Sequence, residues 1–86
     1  MTILGKDARF PSAVFSYQQN TENWIKANRV SGILTEYPLN ISVYNWAVSH
    51  EYFVPKREHY NTIEFQRPFT SARQKHIHYQ NGIAPE

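Results

Sequence analysis

The chain contains no cysteine. That absence removes disulfides, zinc–cysteine centres, iron–sulfur clusters and thiol nucleophiles together, so the fold must rest on packed apolar side chains. Much of that apolar material is aromatic: two Trp, six Tyr and five Phe stand among 86 residues. Such rings bury large areas, which argues against disorder, but a chain of this length has room for one core only. The sequence therefore predicts a single compact domain over residues 1–82, with 83–86 as a C-terminal tail after Asn81-Gly82. No apolar run approaches the roughly 18 residues of a spanning helix, so no membrane partner is expected. Met1–Asp7 lacks the basic start and long apolar stretch of a signal peptide, and a cytoplasmic location is the expectation.

Turn residues and prolines divide the chain into short elements. Ile3-Leu4 is apolar and Gly5-Lys6-Asp7 reads as a turn; Ala13–Phe15, after Pro11, reads as a strand. Ser16-Tyr17-Gln18-Gln19 has the spacing of a capping box, predicting a helix that starts at Ser16 and ends near Asn28, with Glu22–Lys26 as a favourable i,i+4 pair. Gly32 releases the chain into a strand at 33–37, which Pro38 stops. Asn40 reads as the cap of a second helix, 41–51, whose Ser42, Asn45 and Ser49 form a narrow polar stripe. Lys56–Asn61 reads as a loop, and Thr62 as the cap of a short helix over Ile63–Arg67. Residues 73–80 alternate: Arg73, Lys75, Ile77 and Tyr79 on one side, Gln74, His76 and His78 on the other. The fold class is α+β, a small, mainly antiparallel sheet of about four strands with two main helices on one face. Trp24, Trp46, Phe15, Phe53 and Phe65 are the expected core aromatics.

Nine Lys and Arg against seven Asp and Glu give a net charge of +2. The excess lies toward the C-terminus, where Lys56, Arg57, Arg67, Arg73 and Lys75 face only Glu58 and Glu64. Three of the four histidines lie there too. A Ser-His-Asp triad lacks its acid, since the one aspartate is Asp7 beside a turn. Glycines at 5, 32 and 82 alone cannot build a phosphate-binding loop or a dinucleotide fingerprint. His76 and His78 stand two apart on a strand, so they share a face about 7 Å apart. Two imidazoles so placed can share a metal, or act as acid and base on a phosphodiester beside Arg73, Lys75 or Arg67. Hydrogen-bonded histidines on a half-buried strand are the simpler reading, so no metal and no cofactor are expected.

Seven landmarks occur together. They are Phe10–Ser16 (FPSAVFS), Trp24-Ile25, Ser31–Leu39 (SGILTEYPL), Val43–Ala47 (VYNWA), Phe53–Lys56 (FVPK), Phe69–Ala72 (FTSA) and His76–Gly82 (HIHYQNG). On these residues the chain resembles a family of short bacterial proteins described as a domain of unknown function, over roughly residues 8–82. It departs from that family at its start and at Asn45, where an acid is more usual. The resemblance implies a bacterial or phage origin and a stand-alone domain, and it transfers no activity.

With the familiar catalytic constellations missing, the expectation is a non-enzymatic protein-binding domain, of the kind that serves as an immunity or inhibitor protein in bacterial competition or phage–host conflict. Its expected partner surface is Arg57, Tyr60, Arg73, Lys75 and Tyr79. The alternative is a nucleic-acid binder or small metal-independent ribonuclease with His76 and His78 as its catalytic pair.

Overall fold

Four short strands pair antiparallel throughout into one sheet: β1 (Thr2–Gly5), β2 (Ala13–Val14), β3 (Gly32–Thr35) and β4 (His76–Tyr79), in the order β2-β1-β3-β4. Three helices accompany them: α1 (Gln18–Asn28), α2 (Val43–Ser49) and α3 (Ile63–Gln66), with a 3-10 turn at Glu58–Asn61. These come from a computed structural model, which describes residues 1–85. The class is α+β, as the sequence predicts. The chain forms two compact units: Met1–Tyr37 with the segment from Lys75 onward, and Pro38–Gln74. The sheet and α1 belong to the first, α2 and α3 to the second.

In the first unit the register decides everything else. Ile3 stands opposite Ala13 and Leu34, and Leu34 opposite Ile77. Directly opposed residues share a face, so these four form one apolar row. Ile25 of α1 packs onto that row, and Ile3, Ile25 and Leu34 are fully buried, with Trp24, Val30 and Tyr79 around them. Each such side chain contributes about 1.5–3 kcal/mol of burial. Thr21, one turn before Ile25, is buried as well, and its hydroxyl donates to the Tyr17 carbonyl at 3.0 Å.

The start of α1 differs from the expected capping box. The helix begins at Gln18, and Tyr17 holds the cap position without a side-chain cap bond. Phe15 finds its partner in Trp24, ring centres 6.0 Å apart, which sets the entry of the chain by packing. The end matches the expectation. Arg29 adopts the left-handed conformation (φ 51°), and the Val30 N–H closes on the Ile25 carbonyl at 3.0 Å.

The second unit is organised by rings. Tyr44 of α2 is buried, with the ring centres of Phe53, Phe65 and Phe69 at 5.8, 6.1 and 5.4 Å. Phe53 and Phe69 meet at 5.1 Å, and Tyr60 and Phe65 at 4.6 Å. α2 is shorter than its apolar pattern suggests, because Ser42 rather than Asn40 is its cap. The Ser42 hydroxyl accepts from the Asn45 N–H, while Asn40 sits at φ 63°, outside helical geometry. Thr62 caps α3 as expected, its hydroxyl accepting from the Phe65 N–H. Of the expected core aromatics, Phe15, Trp24, Trp46, Phe53 and Phe65 are only half-buried. So short a chain encloses few large rings, and the buried positions go to Ile3, Ile25, Leu34, Ala47, Thr21, Gln74 and one ring, Tyr44.

After β4, Asn81 (φ 52°) and Gly82 (φ 82°) both take positive φ, as a two-residue type I′ hairpin turn requires. Gln80 and Ile83 exchange backbone hydrogen bonds across it at 2.9 and 3.0 Å. Within the expected tail 83–86, Ile83 is therefore paired, and Glu86 lies outside the described residues. No helix among the described residues is long and apolar enough to cross a membrane.

Candidate functional site

The sheet has two faces and α1 covers one. The other carries two rows set by the same register: Val14, Thr2, Thr35 and His76, then Leu4, Ile33 and His78. Among the described residues of this unit, no element lies over these rows. Val14 is 73% exposed beside a half-buried Ala13, and Leu4 is 37% exposed beside a fully buried Ile3. An antiparallel sheet with one solvated face usually presents polar side chains there; this one presents Val, Leu and Ile beside threonine and histidine.

At one end of this face lies an open cleft of about 550 Å³. Leu4, Ile33 and His78 line it, and Lys6, Asp7 and Asn81 stand at its rim. The rim is held by backbone bonds. The Lys6 N–H donates to the Ser31 carbonyl at 2.9 Å and the Asn81 N–H to the Ser31 hydroxyl at 3.0 Å. Along the β4 edge of this face, the His76 and His78 rings meet edge to face with centres 5.7 Å apart, both exposed, and His78 also lines the cleft. The alternation read from the sequence thus places the two histidines together on the open face. Among the described residues, no group of three or more His, Cys, Asp or Glu side chains is placed to hold a metal.

The five residues expected to form a partner surface divide between the units. Lys75 and Tyr79 belong to the first, where the same alternation that exposes the histidines turns Tyr79 toward α1. Tyr79 packs against Ile3, Ile25 and Leu34, and the Lys75 ammonium donates to Gln18 Oε1 at 2.8 Å. Burial raises the Tyr79 phenol above its ordinary pKa, and the nearby Glu22 carboxylate raises it further. The neutral phenol is thus the form the fold favours. Its contribution is complete below pH ~10 and is lost as pH rises through the folded-state value. In urea titrations at stepped pH, wild-type stability should fall above pH ~10 and a Tyr79→Phe variant should fall less; equal slopes would contradict the assignment.

Arg57, Tyr60 and Arg73 lie in the second unit. Arg57 is exposed before the 3-10 turn, whereas Tyr60 is half-buried among Phe53, Phe65 and His59. The Arg73 guanidinium lies over the Tyr52 ring at 5.0 Å, and Tyr52 in turn contacts Trp46 and His50. The His50 Nδ1 lies 2.9 Å from the Trp46 carbonyl, an acceptor only, so Nδ1 is the donor of that bond.

Leu4, Val14 and Ile33 were not among the residues singled out from the sequence. The available signal was the pairing Ile3-Leu4 and Ile33-Leu34. Consecutive apolar residues in a strand face opposite sides, so one of each pair must leave the covered side.

A family model described as a domain of unknown function, DUF7710, matches residues 2–85. Comparison with curated proteins and with solved structures finds no match.

Proposed function

We propose a protein-binding role for this chain, which belongs to the DUF7710 family: its open sheet face, centred on Leu4, Val14 and Ile33, docks onto a partner protein, with His76 and His78 at one margin. One observation carries the reading. Exposed Val14 and Leu4 and half-buried Ile33 share a register-fixed face with no covering element in their own unit, and exposed apolar patches on small domains mark interaction surfaces. A rigid backbone lowers the ordering cost of such docking, because the face is held by strand pairing rather than by a loop. An immunity or inhibitor protein of bacterial competition or phage–host conflict would need such a surface and no cofactor.

The test is affinity capture from lysate of the native host, in RNase-treated and untreated halves. A stoichiometric protein retained after RNase treatment by wild type, and lost by a Leu4→Glu/Val14→Glu variant, is the expected result. Loss of all bound material on RNase treatment, or degradation of RNA that disappears in a His76→Ala/His78→Ala variant, would instead assign the face to nucleic acid.

A further inference from the structure

The geometry points to a second property of β4 that does not depend on a protein partner: His76 and His78 form a two-histidine site for a late first-row divalent cation, copper(II) most tightly.

The argument is metric. In a regular strand, residues two apart have Cα atoms about 6.6–6.8 Å apart. The His76 and His78 ring centres are at 5.7 Å, so the imidazoles lean together. An imidazole nitrogen binds its ion at about 2.0–2.1 Å, and the ring centre lies about 1.1 Å beyond that nitrogen. Two imidazoles cis on one tetragonal copper(II) ion therefore have centres about 4.5 Å apart. Closing the difference takes about 1.2 Å, shared between χ rotations of two side chains that are both exposed.

The backbone beneath is already fixed. His76 stands opposite Thr35 and His78 opposite Ile33 across the β3–β4 ladder. The strand therefore need not be ordered when the ion binds, as it would be on a loop. Neutral imidazole suits Cu, Ni and Zn, and the affinity order of the divalent ions places copper first. No third His, Cys, Asp or Glu joins the pair to complete a chelate among the described residues. That separates this site from a closed structural centre, in which the protein fills every position.

The experiment uses the intact chain and copper(II) alone, in a non-chelating buffer at pH 7.5, followed by calorimetry and by electron paramagnetic resonance. Wild type should bind one equivalent, with hyperfine structure from two nitrogens. His76→Ala and His78→Ala should each weaken binding about tenfold or more. His78→Gln, which keeps a polar side chain on the strand, should lose as much, with far-UV circular dichroism unchanged. A His50→Ala/His59→Ala variant should bind as wild type does. Absence of binding by wild type, undiminished binding in the His76 and His78 variants, or loss in the His50/His59 variant would overturn the assignment.

Discussion

Replacing Gly32 with alanine is expected to unfold the sheet-bearing unit. A Cβ built there would lie 2.3 Å from the Leu4 carbonyl oxygen and 2.9 Å from the Gly5 Cα. Both are backbone atoms of the paired strand, so no side chain can rotate away. Relief requires β1 and β3 to separate, and that ladder carries the opposition of Ile3 and Leu34 on which the core depends. Ordinary overpacking costs about 1–3 kcal/mol. A clash with a central strand's backbone should exceed that, against a total stability of about 5–15 kcal/mol. Gly5→Ala is the control. Its Cβ would meet the Ser12 side chain, whose hydroxyl oxygen lies at 2.9 Å and can turn aside. It also forfeits a bond from the Gly5 N–H to Ser12 Oγ, and the expected loss is about 1 kcal/mol. Urea titration followed by far-UV circular dichroism separates the two; equal stabilities would refute the steric argument.

Tyr44→Ala should be the most damaging change in the second unit. Tyr44 is 4% exposed and its ring meets Phe53, Phe65 and Phe69. Truncating a buried aromatic residue to alanine costs about 3–5 kcal/mol. Ring pairs account for about 0.5–1.5 kcal/mol each beyond area alone. Tyr44→Phe keeps the rings and gives up one long hydrogen bond, hydroxyl to Asn61 Oδ1 at 3.5 Å, so its cost should stay below about 1 kcal/mol. Near-UV circular dichroism reports the rings directly. Retention of the wild-type spectrum in Tyr44→Ala would show that this cluster does not organise the unit.

The alternation of β4 was legible because Ile77 and Tyr79 are apolar and His76 and His78 are not, a period-two signal without competing pattern. The same signal carried more than the sequence reading took from it. If Ile77 faces the core, so does Tyr79, which is half-buried against it. The Thr62 cap was legible because an apolar residue follows it and Pro68 ends the helix. The Ser16 capping box was not realised: Phe15 and Trp24 pack together, and the cap position moves one residue on, to Tyr17. Core identity was misjudged toward the rings. Hydrophobicity ranks Trp and Phe as interior, but so short a chain encloses Ile3, Ile25 and Leu34 more completely. The open face was hidden for another reason: which side of a strand is covered depends on where the helix lands. No local pattern in Thr2–Gly5 or Gly32–Thr35 specifies that.

The measurement that bears most directly on the proposed role is the dissociation constant of the captured partner for four forms of the chain. These are wild type, Leu4→Glu, Val14→Glu and an Arg57→Ala/Arg73→Ala double variant. If the open sheet face is the docking surface, each Glu variant weakens binding by about tenfold or more, since a carboxylate would be buried without a partner. The arginine variant should change affinity far less. Full affinity in both Glu variants, with loss confined to the arginine variant, would contradict the assignment and place the interaction on the second unit.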